Sequence, residues 1–172
     1  ECTWMKKILH MALALSLALA LAACGGKVEK YTTGDVQAIV DAGAFSEELE
    51  ELDGDTAFLL YKLADYGLDE GDVKKCAVLR SAGATCEEAA VLVLSGNQQA
   101  KRAAEGLYTY LNDQIKANEN YRPAEIPKLK EAYLSIKDNT VLMVVANDPE
   151  AAKAAVEGEP SFTSPEGTDT AS

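Results

Sequence analysis

The rhythm of apolar and polar positions changes often enough along this chain to divide it into elements. Residues 11–23 hold only Met, Ala, Leu and one Ser, an unbroken apolar run. From Gly34 the period becomes helical: Val36, Ile39 and Val40 share a face, and Gly43 is a natural stop. After an acidic stretch over residues 46–55, Phe58, Leu59, Leu60 and Leu63 give a second helical stripe across 56–66, ending before Gly67. Short apolar runs at residues 75–81 and 87–94 flank Ala82-Gly83 and predict a strand pair. The second run, Ala89-Ala90-Val91-Leu92-Val93-Leu94, reads as buried on both faces. Over residues 98–118, apolar side chains recur at Ala100, Ala103, Ala104, Leu107, Leu111 and Ile115, which predicts one long amphipathic helix packed on the sheet.

Pro123 and Pro127 predict an ordered loop or turn across residues 121–127, since two prolines four apart are expected to forbid helix and central strand alike. A second hairpin follows, with strands at 132–137 and 140–146 about the turn Asp138-Asn139. Asp148, Pro149 and Glu150 open a last helix with a capping acid, a first-turn proline and an acid favoured by the helix dipole; Gly158 closes it. The order helix, helix, strand, strand, long helix, strand, strand, helix predicts one α+β domain over residues 34–157. Its two hairpins would form an antiparallel sheet of about four strands, with the helices on one side. Residues 158–172 are rich in Pro, Ser, Thr and acid, with Phe162 the only large apolar residue, and are expected to be a disordered tail.

The apolar run at 11–23 has the length of a signal-peptide core and falls short of the ~20 residues a membrane span needs. Lys6 and Lys7 precede it and Leu21-Ala22-Ala23-Cys24 closes it, so residues 1–23 read as a lipoprotein signal. Glu1-Cys2-Thr3-Trp4 stands ahead of Met5, which we read as the start. Cys24 is then the lipid-carrying first residue of the mature chain, a thiol alkylated by diacylglycerol. Residues 24–33 form a polar tether, and the domain is expected on the outer face of the cytoplasmic membrane. No cofactor other than that lipid is expected.

Charge narrows the partners. The chain carries 16 basic and 28 acidic side chains, a net charge of −12. Without residues 1–23, which include Lys6, Lys7 and Glu1, there remain 14 and 27, a charge of −13. Such acidity argues against nucleic acid and leaves membrane contact to the lipid. Once Cys24 is lipidated, Cys76 and Cys86 remain as an even pair in a disulfide-permissive compartment. A tight turn at 81–84 would set Leu79 opposite Cys86 and Cys76 opposite Ala89, putting the sulfurs about 10 Å apart. A bridge and two buried thiols both stay open.

Several fragments together carry a family likeness: Leu21-Ala22-Ala23-Cys24; Tyr66-Gly67-Leu68-Asp69; Ser81-Ala82-Gly83-Ala84-Thr85 before Glu87-Glu88; Asp113-Gln114 near the end of the long helix; Tyr121 and Pro123 ahead of Pro127-Lys128-Leu129; Asp138-Asn139; and Asn147-Asp148-Pro149. In these the chain resembles the lipoproteins of Gram-positive anaerobes grouped as domain of unknown function 4358, over roughly residues 35–156. The resemblance implies the α+β fold, the lipid anchor and a single-membrane cell. It implies no activity, ligand or catalytic residue. Cys76, Cys86 and the polar tail depart from the family's pattern.

Candidate chemistry is sparse. His10, the only histidine, lies in the signal, which removes histidine-based nucleophile systems and zinc sites from the mature domain. No Gly-rich phosphate loop or nucleophile elbow is present. Asp53, Asp55, Asp65, Asp69, Glu70 and Asp72 lack EF-hand spacing and read as acidic turns, so no metal site is expected. Glu87 and Glu88 open the second strand, where cross-strand pairing with Lys74 or Lys75 is expected ahead of acid–base catalysis. All seven tyrosines follow the signal; Tyr108, Tyr121 and Arg122 are the candidate interaction surface, with an envelope protein or peptide as partner. The expectation is a non-enzymatic binding or interaction module. The alternatives are an accessory envelope enzyme or enzyme regulator using carboxylates such as Glu87, Glu88 or Glu125, and a solute-binding component.

Overall fold

The computed structural model describes residues 30–157. The signal sequence, Cys24, most of the tether and the tail from residue 158 lie outside the described residues. The fold is α+β, built on a five-stranded sheet in the order β1-β2-β3-β5-β4, antiparallel throughout. The strands are β1 (Glu50–Leu52), β2 (Val73–Arg80), β3 (Glu88–Leu94), β4 (Tyr133–Lys137) and β5 (Thr140–Val145). The helices are α1 (Gly34–Asp41), α2 (Gly54–Leu60), α3 (Asn97–Asn118), α4 (Ile126–Lys130) and α5 (Pro149–Glu157).

Helices cover both faces, correcting the expected one-sided cover. The central strands β3 and β5 carry apolar side chains almost without alternation, so each face needs its own cover. Phe58, Leu63, Leu92, Leu107, Val141 and Met143 form the core under α2, α3 and α4. Tyr31, Ile39, Val91, Leu142, Val144 and Val156 form the other, under α1 and α5. The result is three layers.

β1 falls in the acidic stretch and is an addition to the expected strands. Glu50 and Glu51 leave it with no apolar pattern, and only pairing with β2 reveals it: Glu50 faces Arg80 and Leu52 faces Val78. Charged residues suit such an edge.

The helix expected over residues 56–66 is two pieces. Asp53 caps α2, accepting from the Thr56 amide at 2.8 Å and the Thr56 hydroxyl at 2.7 Å. Lys62, at φ 51°, then breaks the helix, and the chain resumes as a 3-10 turn, Leu63–Tyr66, closed by Gly67 at φ 71°. The 121–127 segment also departs from expectation. Pro123 opens a 3-10 turn and Pro127 sits in the first turn of α4, where an amide has no intrahelical acceptor to lose.

The first hairpin has a longer loop than the tight turn expected. Arg80 pairs with Glu88, Leu79 with Ala89 and Cys76 with Leu92, leaving residues 81–87 as the connection. Cys76 and Cys86 are therefore separated by six residue steps, about 20 Å at the usual strand rise, and both are free. The second hairpin turns on Asp138-Asn139, with Lys137 opposite Thr140. Asp148 caps α5, accepting from the Ala151 amide at 3.0 Å. No helix among the described residues is long and apolar enough to cross a membrane.

Candidate functional site

Glu88 opens the central strand β3 and is 2% exposed. Two helical elements bring tyrosines onto it. Tyr61, at the C-cap of α2, donates its hydroxyl to Glu88 Oε1 at 2.5 Å, and Tyr110, on α3, donates to Oε2 at 2.6 Å. Arg80, the cross-strand neighbour, places Nε 3.3 Å from Oε2. Burial raises the Glu88 pKa above its ordinary value; the Tyr110 and Tyr61 hydroxyls and Arg80 oppose that without reversing it. Burial and the adjoining carboxylate raise both phenols too, so the hydroxyls remain donors.

A close helix crossing makes this cluster possible. A Cβ at Gly106 would stand 3.2 Å from the Tyr61 carbonyl oxygen and 3.2 Å from Tyr66 Cδ2, so glycine lets α3 approach the 61–66 turn. Above the crossing lies a cavity of about 360 Å³, within the range of small-molecule sites. Tyr61, Tyr66, Tyr110 and Gly106 line it, and Lys62, Asp65 and Asp113 are its exposed charged residues. Glu88 does not line it.

Glu87 enters a separate network and is wholly buried. It accepts from the Ser46 amide at 2.8 Å, the Ser46 hydroxyl at 2.5 Å and the Lys128 ammonium at 2.8 Å. Lys128 also lies 3.3 Å from Glu125, which accepts from the Cys86 amide at 2.9 Å. Burial lowers the Lys128 pKa, but Glu87 and Glu125 outweigh it and hold the ammonium above its ordinary value. Glu47 accepts from the Ser81 and Thr85 hydroxyls, both at 2.6 Å. These contacts tie the 81–87 loop to the body of the domain.

The expected pairing of Glu87 and Glu88 with Lys74 or Lys75 is not formed. Lys74 caps the Gly71 carbonyl instead, at 2.7 Å. The shift in hairpin register is the reason, because Lys75 faces Val93 at the far end of the strand.

Of the candidate surface, Arg122 and Tyr121 meet, the guanidinium 5.5 Å from the ring centroid, while Tyr108 stands apart. Tyr108 is 62% exposed on α3 and lines an open depression with Ile136 of β4. Tyr121 is 78% exposed beyond the end of α3. Thirteen residues separate the two, about 20 Å at the helical rise. Arg122 is a clamp: it donates to Asn118 Oδ1 at 2.9 Å, to the Gly83 carbonyl at 2.7 Å and to the Thr85 carbonyl at 2.9 Å. Cys86 is buried and Cys76 half-buried, with both thiols shifted upward by burial, which favours the protonated form.

Of the acidic turns, Asp53 is a helix cap and Asp72 accepts from Ser95 at 2.6 Å and from the Asp69 amide at 3.0 Å. No group of three or more metal-ligating side chains occurs among the described residues. Sequence reasoning missed Tyr61, Tyr66, Arg80 and Lys128. The usable signals were two successive glutamates opening an otherwise apolar strand and a lone glycine within the long helix.

Taken together, the architecture is a three-layer α+β domain with an open cavity beside a buried tyrosine–carboxylate cluster. The chain belongs to the family described as "Domain of unknown function (DUF4358)", whose model matches residues 47–146. No curated protein and no solved structure matches it.

Proposed function

We propose that the domain is an extracytoplasmic binding module, anchored by a lipid on Cys24, that takes its ligand in the cavity between α3 and the 61–66 turn. The observation that carries this is the state of the cavity's tyrosines. Each hydroxyl already has an acceptor, Glu88 for the buried Tyr61 and Tyr110 and Thr109 for the half-buried Tyr66, so the floor and one side of an open space are held in fixed positions. A preorganised lining favours binding because little side-chain freedom is lost when the ligand arrives.

The carboxylates are less suited to catalysis. Glu87 and Glu88 are each occupied by at least two donors, and neither lines the cavity. A general acid or base needs hydrogen-bond reach to its substrate. The membrane assignment rests on the sequence around Cys24.

Chemical-shift mapping of the full chain against a fragment library tests the binding reading. Shifts confined to Gly106, Thr109 and Tyr110 are expected, and a library that moves no cavity resonance would refute it. For the anchor, Cys24→Ala should release the protein from the membrane fraction and abolish lipid incorporation. A variant that stayed lipid-modified would overturn that half.

A further inference from the structure

We infer that the open edge of β4 takes the chain's own C-terminal tail, residues 161–164 adding as a sixth strand with Phe162 seated in the depression between α3 and β4. This stands apart from the ligand cavity. β4 is the last strand of the sheet and pairs only with β5. Its hairpin closes at Lys137 opposite Thr140 about a two-residue turn, so Tyr133, Ser135 and Lys137 spend their backbone groups on β5, and the amides and carbonyls of Leu134 and Ile136 point outward. Those outward groups have no partner among the described residues. The opposite edge, β1, is guarded by Glu50 and Glu51, whereas the only charge on β4, Lys137, folds back over the Tyr31 ring at 4.6 Å. Beside the β4 edge, Ile136 and Tyr108, 42% and 62% exposed, share a depression of about 510 Å³.

The point where the described chain ends identifies the occupant. Tyr133, the first residue of β4, donates its hydroxyl to Glu157, the last residue of α5, and Lys153 stands 5.9 Å from the centroid of the same ring. The tail therefore leaves from beside the head of β4. Phe162, its only large apolar residue, is five positions beyond Glu157, about 17 Å of extended chain; Ile136 is three positions past Tyr133, about 10 Å along the strand. Pro160 and Pro165 bracket Ser161-Phe162-Thr163-Ser164, whose amides can join a ladder, and prolines are tolerated at the ends of an outer strand. With Phe162 on the Ile136 side, Ser161 and Thr163 fall on the side of Ser135, polar against polar. A second copy is the weaker occupant, since it would bring together two chains of net charge −12. The tethered tail acts instead at an effective concentration on the order of millimolar.

Amide hydrogen exchange followed by NMR compares the full chain with one ending at Gly158, which keeps all of α5. Leu134 and Ile136 should exchange at least about tenfold more slowly in the full chain. Val91 and Leu142, in the central strands, should be equally protected in both, which shows that the shorter chain is folded. Phe162→Ala should lose most of the difference and Phe162→Leu should keep it. A nuclear Overhauser contact between the Phe162 ring and the Ile136 methyl groups is expected in the full chain. Equal exchange of Leu134 and Ile136 in the two chains would overturn the inference, whether both are fast or both slow. Protection that appears only as protein concentration rises would also overturn it, giving the edge to a second copy.

Discussion

The rings of Tyr61 and Tyr110 meet edge to face, 5.1 Å between centroids at 77°, and both hydroxyls end on the one carboxylate of Glu88. The pair joins α2 to α3 and both to the head of β3. Its strength comes from burial, since hydrogen bonds to an ionised acceptor gain weight where water is excluded.

Tyr61→Phe and Tyr110→Phe should each lower stability by about 1.5–3 kcal/mol, because each leaves one Glu88 oxygen short of a donor. The double variant should cost less than the sum, since a carboxyl left with Arg80 alone can protonate in place. Urea denaturation of the two singles and the double measures the coupling. Strict additivity would mean that the hydroxyls do not share an acceptor in solution.

The raised pKa of Glu88 has a definite sign in the pH dependence of folding. A carboxyl whose folded value exceeds its ordinary 4.5 contributes fully below that value, and its contribution is lost as pH rises through the folded value. Wild type should therefore lose stability relative to Glu88→Gln from about pH 4.5 upward, levelling off once Glu88 is ionised. Comparing the two proteins at each pH cancels the other carboxyls. A difference that grew in favour of wild type with rising pH would contradict the assignment.

The fold was legible where one face of an element decides its fate, and less so where contacts across the sheet do. The period of three and four from Ala100 to Ile115 marked α3 because the buried face repeats within one helix. Asp138-Asn139 marked its hairpin because a two-residue turn fixes register by itself. The first hairpin register was lost because the 81–87 loop is held by Glu47, Arg122 and Glu125, all distant in sequence. The candidate site shared that difficulty: Glu87 and Glu88 drew notice as a pair, but their partners Lys128, Tyr61 and Tyr110 are set by packing.

Removing one side of the Glu87–Lys128 pair should be asymmetric. Lys128→Ala strands a carboxylate whose side chain is 0% exposed, with only the Ser46 donors left, and should cost about 3–5 kcal/mol. Glu87→Gln keeps an acceptor for Ser46 and leaves Lys128 its contact with Glu125, so a smaller loss is expected. Thermal or urea unfolding at neutral pH compares the two. Equal losses would show that the pair is not closed to water.

Arg122 and Tyr121 are adjacent, yet substitutions should separate them. Arg122→Ala frees the Gly83 and Thr85 carbonyls and should cost about 1–3 kcal/mol, with faster amide exchange across residues 81–87. Tyr121→Ala, at an exposed position, should stay within about 0.5 kcal/mol of wild type. Unchanged exchange in the loop after Arg122→Ala would remove its clamp role.

Gly106 is the most direct handle on the cavity itself. In an exposed helix interior, glycine to alanine stabilises by about 1 kcal/mol because alanine restricts the unfolded chain and favours the helix. Here the added methyl would lie 3.2 Å from the Tyr61 carbonyl oxygen, a backbone atom that cannot rotate away, and 3.2 Å from Tyr66 Cδ2. Relief requires α3 to move off the 61–66 turn, which lengthens the hydrogen bonds from Tyr61 and Tyr110 to Glu88. Gly106→Ala should therefore destabilise by about 1–3 kcal/mol, the range for overpacking a close contact, and weaken any ligand bound in the cavity that Gly106 lines. Stability and ligand titration of the same variant read both effects. A more stable protein with unaltered ligand binding would show that the crossing has slack in solution and that Gly106 does not set the cavity's width.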